Sequence, residues 1–318
     1  MLWFCLIWLQ ETQAIRPVHT YSIVAIDKEQ GEMGVAVQSH WFSVGSVVCW
    51  ARSGAGVVAT QSLVEPAYGY QGLEWMSKGL SAPEAFKKIQ GEDPTPQIRQ
   101  VAMIDSRGGV VSFTGEKCIA EAGDQRGSNY AVQANIMEKS TVWPAMALAF
   151  ESSKGSLARR MLAALQAAEG EGGDLRGKQS AALLVVKIAA SPQPWKDGLF
   201  DLRVDDHPEP LEELARLLHV AEAYRFMDLG DEQLGKGRLE QAKQAYGQAM
   251  DMLPGQSEIT FWTAVTMVSL GEREEAMALF AKALGQNPKW GDLLPRLSQV
   301  ELFPQDAELL QKIQALRP

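Results

Sequence analysis

Cysteine, histidine and positive charge are all scarce in this chain, and each shortage closes off a class of function. Three cysteines in 318 residues (Cys5, Cys49, Cys118) are too few and too scattered for a disulfide framework or a zinc site. Cys49 lies in the apolar run Val47-Val48-Cys49-Trp50 and reads as packing rather than as a reactive thiol. The four histidines (His19, His40, His207, His219) have no metal-ligand spacing among themselves. Asp205-Asp206-His207 has the chemistry to hold a cation, but at the start of a polar linker it reads first as a solvated turn. With 30 Lys+Arg against 39 Asp+Glu, the net charge of −9 argues against nucleic acid, whose binding leans on neutralising phosphates.

The familiar catalytic signatures are missing too. There is no Gly-x-Ser-x-Gly elbow, no His-Glu-x-x-His, no phosphate loop and no Cys-x-x-Cys. Gly54-x-Gly56-x-x-Ala59 loosely matches a dinucleotide fingerprint, but a strand-like run follows it where a helix is required. No cofactor and no metal are therefore expected. Nor is any apolar run long enough to span a bilayer. The longest at the N-terminus, Met1–Leu9, resembles the apolar stretch of a secretory signal, with Thr12 and Ala14 at the −3 and −1 positions of a cleavage site. The Lys or Arg expected before it is absent. Residues 1–19 thus read as a signal or pro-segment of a secreted or periplasmic protein; otherwise they are an extra apolar segment on a cytoplasmic one.

What is present is an ordinary globular composition, 46% hydrophobic and 22% charged, in a chain long enough for two domains. Thr20–Asp27 is β-branched and apolar, and a polar turn separates it from a second strand, Met33–Ser39. Ser46–Ala51 and Val57–Gln61 read as short strands. Two helices follow, the second opened by a capping box, Ser81-Ala82-Pro83-Glu84. Val101–Asp105 and Val110–Thr114 form a hairpin, Tyr130–Asn135 a strand, and Thr141–Glu151 and Leu157–Glu169 helices. Ala181–Ala189 and Leu199–Val204 are late strands. Hairpins joined by paired helices predict an α+β fold of antiparallel sheets with helices packed on them.

Prolines at 208 and 210 punctuate the boundary, giving a first domain over 20–207 and a helical one over 208–318. In the latter a period of 34 residues pairs Gly237 with Gly271, Ala242 with Ala276, Tyr246 with Phe280, Ala249 with Ala283 and Pro254 with Pro288. This is the tetratricopeptide period. Helices around Leu211–Arg225 and Asp306–Leu316 are expected to cap the repeats, which would serve a protein or peptide partner.

Thr20-Tyr21-Ser22-Ile23-Val24-Ala25, Gly34-Val35-Ala36-Val37-Gln38-Ser39 and Gly56-Val57-Val58-Ala59-Thr60-Gln61 resemble an uncharacterised family, the domain of unknown function numbered 1028. So do Tyr68-Gly69, Ala131-Val132-Gln133-Ala134-Asn135, Arg176–Ala182 and Leu202–Pro208. That family is similar to the N-terminal-nucleophile (Ntn) hydrolases, which implies a four-layer αββα sandwich. The resemblance implies that Thr20 is the nucleophile of an amide hydrolase acting on a small amide or peptide, once a cut before it frees its amine as base. Asn135 and the backbone at Ala59 and Thr60 would stabilise the oxyanion, while Ser39 and Arg52 would orient the amine. Read from the residues alone, Gln61, Gln133 and Gln179 either line a polar pocket or satisfy buried backbone between the layers. The alternative is a catalytically inactive Ntn-fold binding protein carrying a repeat module. Homo-oligomerisation is left open by the sequence.

Overall fold

The computed structural model describes residues 20–318; the expectations for Met1–His19 fall outside them. The chain divides into two compact units between Arg216 and Leu217. In the first, β1 (Thr20–Asp27) and β2 (Glu32–Ser39) form the expected hairpin, and a short α1 (Gly45–Val48) leads into β3 (Cys49–Arg52) and β4 (Gly56–Ser62). Helices α2 (Ala67–Ser77) and α3 (Ala82–Glu92) precede β5 (Arg99–Asp105), β6 (Val110–Thr114), β7 (Gly123–Arg126) and β8 (Tyr130–Asn135). Then come α4 (Val142–Ser152), α5 (Leu157–Gly170), β9 (Ser180–Lys187) and β10 (Gly198–Val204). The Ser81 amide and hydroxyl both donate to the Glu84 carboxylate, completing the capping box over α3.

Two antiparallel sheets result, one ordered β10-β9-β2-β1-β8-β7 and the other β3-β4-β5-β6. Because side chains alternate across a strand, each strand feeds two layers. Val24, Ile26, Met33, Val35, Val57 and Ile104 fill the space between the sheets. Their neighbours Val58, Val101 and Met103 turn outward onto Tyr68, Leu73, Phe86 and Ile89 of α2 and α3. Helices α4 and α5 cover the outer face of the six-stranded sheet. The order is helix, sheet, sheet, helix. Each buried Val, Ile or Phe of these layers contributes about 1.5–3 kcal/mol relative to exposure, so the sandwich is held mainly by its alternation.

Two local expectations are corrected here. Ser46–Ala51 is not one strand: its first residues belong to α1, and β3 begins only at Cys49. The helix placed around Leu211–Arg225 does not end there but runs from Pro210 to Gly235 as α6. Beyond it, α7 (Leu239–Met252), α8 (Ser257–Ser269), α9 (Arg273–Gln286), α10 (Trp290–Gln299) and α11 (Ala307–Gln314) complete an all-helical second unit.

The period seen in the sequence has a direct structural meaning in that unit. Gly237 and Gly271 sit in the turns between paired helices at φ of 72° and 84°, a region costly for any residue with a Cβ. Ala242, Ala276, Ala249 and Ala283 are fully buried, as are Tyr246 and Phe280. Gly230 lets α6 and α7 meet, since a Cβ there would stand 2.2 Å from the Tyr246 ring.

Candidate active site

At one end of the sandwich the inward-facing residues change from apolar to polar. On β1 the inward phase that carries Ile26 and Val24 continues through Ser22 to Thr20. Thr20 lies opposite Ser39 of β2 on one side and Asn135 of β8 on the other. The facing sheet supplies Gln61 from the end of β4 and Gln100 from the start of β5, which are themselves cross-strand partners. Thr20, Ser22, Ser39, Gln61, Gln100, Gln133 and Asn135 are all fully buried. Buried polar groups are nearly always hydrogen-bonded, and here most of them bond to one another or to nearby backbone, Gln133 Oε1 and Asn135 Oδ1 excepted.

Backbone carbonyls fix the direction of that network. Gln100 Nε2 donates to the carbonyls of Ala134 (2.9 Å) and Gly123 (3.2 Å) and lies 2.9 Å from Thr114 Oγ1. Its Oε1 must therefore be the atom that receives Gln61 Nε2 at 2.7 Å and Asn135 Nδ2 at 2.8 Å. Gln61 Nε2 also donates to the Thr20 carbonyl at 3.0 Å, and its Oε1 accepts from Ser22 Oγ at 2.6 Å. Gln133 Nε2 donates to Ser22 Oγ and to the Ala59 carbonyl, both at 3.2 Å. With these assignments Asn135 directs both amide hydrogens at protein acceptors, the second a long 3.5 Å contact to the Thr20 carbonyl. Its Oδ1, like Gln133 Oε1 in the same network, is buried without a hydrogen-bond partner. Asn135 thus offers an acceptor at this site, not a donor.

Thr20 Oγ1 donates to Ser39 Oγ at 3.2 Å. Immediately beyond the network the backbone kinks twice: Ser62, after Gln61, has φ 69°, and Ile136, after Asn135, has φ 56°. For a β-branched residue such as Ile136 this is a true outlier, of the kind that costs about 1–3 kcal/mol and gathers at functional sites.

Of the residues singled out from the sequence, Thr20, Ser39 and Asn135 come together, and Ala59 is linked to them through Gln133. Ala59 has strand neighbours on both sides, Cys49 and Ala102, whereas Thr60 pairs only with Val101. Arg52 does not join them. It pairs with Gly56 at the far end of the β3–β4 hairpin, three residues or about 10 Å along the strand from Ala59's partner. Its guanidinium lies 3.5 Å from the Glu74 carboxylate on α2. A position four residues from an apolar strand start carries no signal of which sheet end it reaches. Gln179, in the loop before β9, reaches Ser39 only through its backbone amide, which donates to the Ser39 carbonyl, and its side chain donates to Asp206. Gln100, the hub, was not anticipated; the signal available was a lone Gln in the inward phase of a β-branched strand.

Elsewhere the site candidates dissolve into structure. Asp205 accepts from Ser43 Oγ, and His207 Nδ1 accepts from the Glu209 amide. Among the described residues no group of three or more His, Cys, Asp or Glu could hold a metal ion. Burial pushes the Cys49 thiol well above its ordinary value, as befits a packing residue. Among those residues, too, no helix is long and apolar enough to cross a membrane.

The model of a family of unknown function, DUF1028, matches residues 20–214, and a tetratricopeptide-repeat model matches 233–297. The crystal structure of protein SPO2555 from Silicibacter pomeroyi, a protein of the same family, is 31% identical with a TM-score of 0.57. The match covers 64% of this chain and 89% of that one. No curated protein matches. The sandwich, its ordered strand motifs and the match over most of the first unit together make this chain a member of the DUF1028 family, with a tetratricopeptide-like module after the family domain.

Proposed function

We propose that the first unit is an amide hydrolase of the N-terminal-nucleophile type, in which Thr20 becomes the nucleophile once the chain is cut before it. The observation that carries this reading is the position of Thr20 at the head of β1, between Ser39 and Asn135, where the inter-sheet layer turns polar. A threonine that merely favours strands has no need of a network of buried amides around its own carbonyl.

The freed α-amine, with an ordinary pKa of about 7.7–8.0, takes the proton of Thr20 Oγ1 as that oxygen bonds to the substrate's carbonyl carbon. The C–N bond then breaks, and the departing amine carries that proton away. Water hydrolyses the resulting ester, releasing the acid and restoring the hydroxyl. In this scheme Asn135 Oδ1 orients the amine as an acceptor, a different role from oxyanion donor. Thr60, flanked by a strand on one side only, is the better backbone donor of the Ala59–Thr60 pair. Gln61 and Gln100 act as positioning residues that hold the Thr20 backbone.

The test is hydrolysis of a panel of small amides and peptides by the mature protein and by Thr20→Ala. Activity that Thr20→Ala abolishes supports the proposal, and activity that survives it refutes it. The competing reading, a binding protein on a retained Ntn-like fold, is favoured by the complete burial of Thr20 and by the nineteen residues that precede it. A secreted or periplasmic location accords with the signal-like Met1–Leu9 and would supply the first processing step.

A further inference from the structure

The second unit holds a cavity of about 240 Å³ whose wall joins Tyr224, Met227 and Asp231 of α6 to Glu258, Trp262 and Thr266 of α8. Spacings of three and four residues on α6, and of four and four on α8, put each set on one face of its helix. Tyr224 and Glu258 are one 34-residue repeat apart, and the Tyr224 hydroxyl donates to Glu258 at 2.8 Å. The Tyr246 hydroxyl donates to Asp231 at 2.6 Å.

A phenol orients a carboxylate without neutralising it. None of the residues lining the cavity is basic, and among the described residues neither Asp231 nor Glu258 forms an ion pair. Two negative charges therefore border a pocket walled by Trp262, Tyr224 and the Met227 thioether. That combination suits a cation on an apolar stem, because aromatic faces attract cations and the methylenes of Lys or Arg cover apolar surface. Size decides what carries the cation. The cavity is smaller than the roughly 300–1,000 Å³ of small-molecule sites, so it accommodates one long side chain better than a whole metabolite. From Leu217 to Pro318, fourteen acidic residues outnumber ten basic ones, and this excess steers a basic partner toward the unit.

We propose that this cavity binds a lysine or arginine side chain presented by a protein partner. It stands apart from the chemistry proposed for Thr20. The test uses the full chain and fluorescein-labelled, alanine-rich heptapeptides that differ only at the central residue: lysine, norleucine or glutamate. Fluorescence polarisation should show the lysine peptide binding at least about tenfold tighter than norleucine, with the preference weakening as salt rises. Asp231→Asn combined with Glu258→Gln, both isosteric, should erase the preference while leaving norleucine binding and the melting temperature unchanged. A lysine peptide that binds no better than norleucine, silence from both included, overturns the proposal. So does a preference that survives the double substitution.

Discussion

Gln100 holds the polar end of the sandwich together more than any other single residue. It accepts from Gln61 and Asn135 and donates to the two carbonyls that face it. Replacing it with leucine, similar in volume, orphans those buried groups at about 1–3 kcal/mol each. Gln100→Leu should therefore lower stability by at least about 3 kcal/mol, measured as a reduced urea midpoint at unchanged slope. A second residue-scale outcome concerns pH. Burial by itself pushes the Asp93 carboxyl upward. Hydrogen bonds from Arg99 and the Thr95 amide, with the Arg99 charge and the Tyr68 hydroxyl, nevertheless hold it below its ordinary value. A carboxyl depressed in the folded state gives stability that is complete above its unfolded pKa of about 3.9 and lost as pH falls through the folded value. Urea titrations between about pH 5 and 2 should show a shallower acid loss for Asp93→Asn than for the wild type.

At the scale of elements, the close approach of α6 and α7 rests on a missing methyl group. Gly230→Ala drives a Cβ into the Tyr246 ring, itself buried and hydrogen-bonded to Asp231. Overpacking of this kind costs about 1–3 kcal/mol. Gly247, in the interior of α7 with nothing within 4 Å of its would-be Cβ, behaves oppositely: Gly247→Ala should stabilise by about 0.5–1 kcal/mol. Thermal melts of the two variants should move in opposite directions. Elements with strong local chemistry were legible in the sequence: alternating β-branched runs, the Ser81–Glu84 box, the 34-residue period. β7 was not, since Gly-Asp-Gln-Arg has no strand former and owes its state to pairing with β8. α1 was missed because four residues, Gly-Ser-Val-Val, are too few to tell a helix from a strand. The site divided in the same way. Residues at the ends of recognisable strands fell into place, whereas Arg52 did not, because which end of the sheet a residue reaches is set by pairing register rather than by the residue itself.

For the whole molecule, two sheets close over an apolar layer that becomes polar only at the end where Thr20 begins β1. Seven fully buried polar residues at one end of a sandwich are costly unless something is gained there, and the proposed gain is a nucleophile whose amine and hydroxyl share one residue. That proposal depends on a cut between His19 and Thr20. Mass spectrometry of the purified chain after prolonged incubation reads it directly. The expected species begins at Thr20, and an unchanged start at Met1, or at Ile15 after signal removal, contradicts it.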